Sequence, residues 1–597
     1  MGESSAAARS PAATPARDWM RATAAAARAA EDPTRIFPVV ISELGARFGA
    51  RPALASDRET LSFAALAARM NRYARWALAR GVRPGAAVGL LMPNRPDYLA
   101  IWLGVTQVGG VVALLNTNLT GAALAHCIAA AAPRLVIVAA ELAHVFDEAA
   151  AHLALRPEVW LDGESGSGGA RLDLAIGEFD GAELAGAEPV SVRQHDRALL
   201  IYTSGTTGLP KAANVSHRRI MTWTHWFAAL ADMRVDDRMY DCLPLYHSVG
   251  GIVAIGAPLV NGGSVVVEER FSAQRFWDDV VRWDCTLFQY IGELCRYLAA
   301  APPHPLERAH RLRLACGNGL GADVWRRFQH RFAIPRVLEF YAATEGNFSL
   351  YNVEGRVGAI GRIPEFLGLR KPVALVRFDS DAGLPARGAD GFCIPCAVDE
   401  PGEAIGRIGA DPVARFEGYA GGVDDEPKIL RGVFAPGDAY LRSGDLMRID
   451  GDGFYHFVDR IGDTFRWKGE NVATLEIAAT LRGCPGVVDA AVYGVAVPGA
   501  DGRAAMALLT VAGELDLVAL ALGVRALPTY ARPLFLRVTR EPEFTSTFKH
   551  RKRHLAEQGF DPDRIAEPLY LFDRTRDSYV ALDRETFERI GGGAMRL

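Results

Sequence analysis

The densest concentration of chemistry-bearing residues in this chain is Thr203-Ser204-Gly205-Thr206-Thr207-Gly208, followed by a Leu-Pro step and Lys211. The hydroxyls supply donors and Lys211 a point charge, while Gly205 and Gly208 let the backbone approach a ligand with its N–H groups turned inward together. Such a set suits a polyphosphate. It is not a Walker loop, because Gly208 is followed by Leu209, Pro210 and Lys211 rather than by Lys and then Ser or Thr. The phosphates therefore belong to another nucleotide fold. His247 stands in Pro-Leu-Tyr-His-Ser, and on its own such a histidine is more often a structural residue than a catalytic one. Cys393 and Cys396 form a Cys-x-x-Cys pair without a second pair or a close His, so neither a zinc site nor a redox motif is expected there.

These residues need elements to hold them. An apolar run over 198–202 reads as a short buried strand feeding the phosphate loop, and Ser216 can cap a helix reaching residue 230 with Ile220, Trp223, Phe227 and Leu230 on one face. Residues 61–80 place Leu66, Met70, Tyr73 and Trp76 at helical spacing and stop at Gly81. Residues 86–92 and 134–139 read as buried strands, and this alternation argues a large α/β domain. The longest apolar run, 98–115, is broken by Thr106-Gln107 and Gly109-Gly110. It falls short of a membrane-spanning helix and reads as a buried core helix. Residues 288–297 fit either core packing or the wall of a substrate pocket. Residues 379–402, dense in Gly, Pro and Asp, read as a long surface loop, and 454–458 as a strand after a Gly-Asp-Gly turn.

At 597 residues the chain is too long for one core, and with half its residues hydrophobic it is globular rather than disordered. A formal net charge of −4 gives no footprint for nucleic acid. Eight scattered cysteines fit a reduced, cytoplasmic setting, with peripheral association at a membrane left open. Residues 1–32, rich in Ala, Arg and Ser, lack the apolar core of a signal peptide and read as a disordered leader.

The stretch YTSGTTGLPKAA resembles the phosphate-loop signature of the adenylate-forming superfamily. With FQYIGELCRYL, YAATEGN, DRIGDTFRWKGENVAT, TFKHRKR and EPLYLFDRTRDSYVAL in this order, the chain closely resembles the fatty acid transport protein and very-long-chain acyl-CoA synthetase family from about residue 53 to its end. Where the wider superfamily has Gly, this chain has Ala342, as one branch does. The resemblance implies a large N-terminal α/β adenylation domain, residues 33–460, and a small mobile α+β domain, 461–597.

The implied reaction has two halves. A carboxylate attacks the α-phosphate of ATP to give acyl adenylate and pyrophosphate, and coenzyme A then displaces AMP. Fatty acid and coenzyme A are the expected small-molecule partners. By the same resemblance Thr203, Ser204, Gly205, Thr206, Thr207, Gly208 and Lys211 cradle phosphate. Gly317, Asn318 and Gly319 line the adenine site, Tyr341 stacks on the base, and Thr344 touches phosphate. Glu345 holds Mg2+, because a carboxylate beside phosphates needs a hard cation between them. Asp445 accepts the ribose hydroxyls, Arg460 binds ATP, and His247 lies beside the substrate carboxylate. Lys549 serves adenylation. The small domain then turns about Gly462 and Asp463 to present Trp467, Lys468 and Gly469 to the pantetheine of coenzyme A. Three alternatives share the nucleotide residues: a ligase for bile-acid or sterol side-chain acids, an acyl-AMP ligase loading a carrier protein, and a non-catalytic fatty acid uptake protein.

Overall fold

The computed structural model describes residues 14–164, 169–203, 209–370, 373–379, 382–409, 415–423, 425–467, 470–498, 500, 502–540 and 552–595. Among these residues, two largely parallel sheets form the body of the N-terminal part. One has seven strands, with Val111–Leu114 between Ala87–Leu91 and the phosphate-loop strand Arg197–Thr203. The other has eight, with Leu287–Ile291 between Arg238–Asp241 and Leu314–Asn318. In the seven-stranded sheet the central strands Ala87–Leu91, Val111–Leu114 and Leu135–Ala139 are uninterrupted apolar runs, as parallel strands covered on both faces require. Helices Phe63–Ala79, Pro96–Gln107 and His217–Leu230 bury Trp76, Trp102 and Phe227 against them. Helix starts follow capping chemistry: Ser62 accepts from the Ala65 amide and Ser216 from the Arg219 amide.

A third sheet, antiparallel, carries Gly402–Arg407, Ala439–Ile449 and Phe454–Arg460 side by side. Beyond it, Val487–Ala496, Arg503–Val511, Phe535–Thr539, Leu569–Asp573 and Ser578–Ala581 form a five-stranded sheet. Its own apolar core includes Val492, Leu509 and Phe535. Large and small α/β units are thus both present, as the sequence implies.

Three expectations need correction. The leader is not disordered where it is described: Pro15–Glu31 is a helix that packs on His217–Leu230. Trp19, Ala22 and Ala29 face inward, with Trp19 edge-on to Trp226 and Tyr351 at 5.8 and 5.7 Å. Buried Asp18 pairs with Arg21 at 2.8 Å and Arg336 at 2.9 Å. The apolar run 98–115 is two elements, the helix Pro96–Gln107 and the strand Val111–Leu114, because Gly109 turns the chain with φ +81°. Within 379–402, the short strand Leu384–Pro385 pairs back on Val373–Asp379. No described helix is long and apolar enough to cross a membrane.

Candidate functional site: a nucleotide and acid cleft

The phosphate-loop strand leads out of the sheet core and turns back as Lys211–Ser216, with Thr203 opposite Lys211 at the open end. Ser204, Gly205, Thr206, Thr207 and Gly208 lie outside the described residues. The Lys211 ammonium sits 5.3 Å over the ring of Tyr419. The Tyr419 hydroxyl donates to Glu345 Oε1 at 3.0 Å, and Lys428 Nζ is 3.8 Å from the same oxygen. One tyrosine thus links the expected phosphate lysine to the expected metal carboxylate.

Behind this hairpin, Glu417 accepts from the Ser216 amide and hydroxyl at 2.9 and 2.6 Å. Arg219, on the first turn of the capped helix, donates to the carbonyls of Thr344 and Gly346 at 2.6 and 3.0 Å. Burial pulls this guanidinium below its usual range, while Glu417 and Glu345 favour its charged form. Its role is visible in those bonds: it fixes the backbone on both sides of Glu345.

On the acid side, Pro244-Leu245-Tyr246-His247 follows the strand Arg238–Asp241 and runs into the π-helical turn Val249–Ala254. Such turns recur at functional sites. Gly251 is obligatory there, since a Cβ would stand 2.0 Å from the Leu245 carbonyl oxygen. Asn118 donates to the Tyr246 hydroxyl at 3.0 Å, and the His247 ring lies 4.6 Å from that of Tyr246. The next residue, Ser248, places its hydroxyl 3.1 Å from that of Thr344. This contact joins the acid-side and phosphate-side motifs.

The residues expected at the nucleotide also converge. Tyr341 donates to Asp445 Oδ2 at 2.6 Å, and Arg460 Nε lies 3.6 Å from Asp445 Oδ1. The ring of Tyr341 is stacked on Phe348 at 5.7 Å. Asp445 and Arg460 face each other across adjacent strands. Asp445 lies within the strand Ala439–Ile449, beside Glu403 on the neighbouring strand, a buried carboxylate that accepts from Arg442 and from the Gly444 amide.

Gly317 and Asn318 end the strand Leu314–Asn318, and Gly319 follows it with φ +82°. Glu339 organises this loop: it accepts from the amides of Gly319 and Leu320 and from the Tyr290 hydroxyl. Burial pushes the Glu339 carboxyl up to about 8, against the opposite pull of its three donors. A carboxyl raised on folding holds its proton where the unfolded chain has lost it. Its contribution to stability is therefore full below the unfolded value of 4.5 and lost progressively toward pH 8. Glu339→Gln is expected to flatten that part of the stability–pH curve, which denaturant midpoints between pH 5 and 8 will measure. An unchanged slope would mean that Glu339 is ionised throughout.

Past Arg460 the chain enters the small unit through a polar knot. Asp459 accepts from the Thr474 amide, and Lys552 donates to Thr474 Oγ1 at 2.8 Å and Asp463 Oδ2 at 3.2 Å. Lys468, Gly469 and Lys549 lie outside the described residues. Farther from the hinge, Arg296 and Asp489 pair at 2.8 Å between the two units, with side chains only 6% and 4% exposed. The stretch 288–297 is a strand and a helix: Tyr290 supports the nucleotide loop and Arg296 meets the small unit. Among the described residues no group of three or more His, Cys, Asp or Glu is placed to hold a metal, and Cys393 and Cys396 are free.

Spacing singles out none of Arg219, Glu417, Tyr419, Lys428 or Glu339. Ser248, adjoining His247 in one motif, is the exception a closer reading of the sequence finds.

Comparison with known proteins agrees with this geometry. The family described as AMP-binding enzyme matches residues 42–369. The fold matches an anthranilate CoA ligase solved with anthranoyl-AMP at a TM-score of 0.76 and 20% identity, over 89% of this chain and 99% of that one. It matches O-succinylbenzoate coenzyme A synthetase of Bacillus subtilis, solved with AMP, at 0.67 and 20%, over 86% and 97%. Fold and site together define an adenylate-forming enzyme. The mouse long-chain fatty acid transport protein 1 is 40% identical over 94% of this chain and 88% of its own length; the human long-chain fatty acid transport protein 6 is 42% identical over 86% and 84%. The chain belongs to the fatty acid transport protein and very-long-chain acyl-CoA synthetase family.

Proposed function

We propose that the protein is an ATP-dependent long-chain or very-long-chain fatty acid:CoA ligase that works through an acyl adenylate. The observation that carries this reading is the 3.1 Å contact between Ser248 and Thr344, which brings the acid-side histidine turn to the threonine and glutamate of the phosphate side. Carboxylate and α-phosphate must meet in the first half-reaction, and a contact between the motifs assigned to each supports that reading.

Thr203, Lys211 and Thr344 hold the phosphates with the glycine loop between them. Glu345 offers a hard divalent cation the carboxylate oxygen it takes, and Lys428, 3.8 Å from that oxygen, would give up part of its pairing when the cation is bound. Mg2+, when bound there, offsets the phosphate charge. Lys211 and Lys428 add fixed cations, so negative charge gathering at phosphorus meets a site already organised for it. Tyr341 offers its ring to the base, Asp445 its carboxylate to the ribose, and Arg460 its guanidinium to the nucleotide. His247 orients the acid. The small domain, turning at Gly462 and Asp463, then exchanges Lys549 for the Trp467-Lys468-Gly469 loop and admits coenzyme A. Peripheral contact with a membrane, the source of such acids, accords with this substrate.

Asp445→Ala is expected to weaken ATP binding by about 1–3 kcal/mol, read as a rise in the ATP KM. An unchanged ATP dependence would reduce Asp445 to an anchor for Tyr341. Each methylene buried in an apolar tunnel contributes about 0.8 kcal/mol, so acetate is expected to be a very poor substrate. The test is thioester formation with acids from acetate to very long chains, sterol side-chain acids included, with coenzyme A and a carrier protein as rival acceptors. A preference for acetate or for the carrier protein overturns the reading.

A further inference from the structure

We propose that Asn94 is a positioning residue for the acid, acting through the turn that carries His247. The proposal rests on the reading above that puts His247 beside the substrate carboxylate. Asn94 follows the strand Ala87–Leu91 of the phosphate-loop sheet but spends its side chain on the other sheet. Its Nδ2 donates to the carbonyls of Leu243 and Glu268 at 2.8 and 2.9 Å, and its Oδ1 accepts from the Leu245 amide at 2.9 Å. The residue is buried, at 8% exposure.

The chemistry of the turn explains why an amide is needed. Pro244 has no N–H, so the turn cannot fix itself through that residue. Asn94 bonds the peptide groups on either side, donating before the proline and accepting after it. Among side chains of this length only an amide offers two donors and an acceptor together. Aspartate would keep the acceptor and set a carboxylate against two carbonyl oxygens.

The other side of the turn is equally fixed. The His247 amide donates to the Pro244 carbonyl at 3.1 Å, and the Gly251 amide to the His247 carbonyl at 2.7 Å. His247 is thus held between a side chain from one sheet and a π-helical turn of the other. With Asn94 removed, the Leu243 and Glu268 carbonyls and the Leu245 amide lose a buried partner, and the turn is free to re-form around water. A shift of about 1 Å in a positioning group costs up to about 100-fold in rate.

The test compares Asn94→Ala, the isosteric Asn94→Asp, His247→Ala and the Asn94→Ala/His247→Ala double variant. Palmitate-dependent pyrophosphate exchange and thioester formation from supplied palmitoyl adenylate are measured for each. Expected for both Asn94 variants is a loss of about tenfold or more in kcat/KM for palmitate in the first assay, with the ATP KM and the second assay unchanged. The double variant should be no worse than His247→Ala, because both act through one group. Additive losses, or a uniform drop in kcat with both KM values unchanged, overturn the proposal. If Asn94→Ala does not fold, Asn94→Asp carries the same comparison. An effective His247→Ala beside silent Asn94 variants defeats this proposal alone, whereas a silent His247→Ala defeats the role given to His247 itself.

Discussion

Lys549→Ala protein is expected to lose carboxylate-dependent pyrophosphate exchange by ~100-fold or more, while still converting supplied acyl adenylate to thioester. In the first half-reaction a carboxylate anion approaches a phosphorus already surrounded by negative oxygens. A cation placed between them acts on charge that exists only as the transition state forms, which is where binding contributes to rate. In the second half the adenylate is already made and the nucleophile is a thiol, so a lysine withdrawn with the small domain has nothing to stabilise. Lys552, three residues beyond Lys549, is tied to Thr474 and to Asp463, one of the two residues about which the small domain is proposed to turn. Equal loss of both halves would mean that Lys549 serves the fold or both reactions.

Gly292→Ala is expected to raise the ATP KM by about tenfold or more, with a smaller effect on reaction of preformed acyl adenylate. Gly292 begins the helix after the strand Leu287–Ile291, and a Cβ there would stand 1.8 Å from the Gly319 carbonyl oxygen and 2.3 Å from its carbon. Those atoms are backbone and cannot rotate away. The Gly317–Gly319 loop would have to move as a unit against the two amide bonds that Glu339 makes to it. Overpacking of this kind costs about 1–3 kcal/mol even in cores that can yield. Here the yielding part is the loop proposed to receive adenine. An ATP KM equal to that of the parent would show that the loop accommodates the methyl group without disturbing the nucleotide.

Sequence patterns revealed the elements whose signals are local. The run 198–202 announces a buried strand, and Ser216 announces the start of His217–Leu230, because a strand core and a helix cap depend only on adjacent residues. The Ala-rich segment around Trp19 was the opposite case: its Ala and Arg favour a helix, but with so few large apolar residues nothing local showed that it has a core to pack on. The apolar run 98–115 concealed a helix-to-strand change, since continuous hydrophobicity is shared by both. The residues that tie the site together were the least legible. Tyr419 lies 74 residues from Glu345 and Glu417 lies 201 from Ser216, so only the folded chain brings them together. The roles assigned to Lys468, Gly469 and Lys549 rest on resemblance alone.

The helix Pro15–Glu31 also orders events during synthesis. It is made well before the residues that receive it. Arg336, which pairs with Asp18, follows it by 318 residues, and Tyr351, against which Trp19 packs, later still. Until the strand Ser349–Asn352 has been translated, Trp19 and Ala22 lack part of their burial site. Two stretches far apart in the sequence therefore close this part of the core together, and a nascent chain halted before residue 351 carries an unfinished apolar surface on this helix.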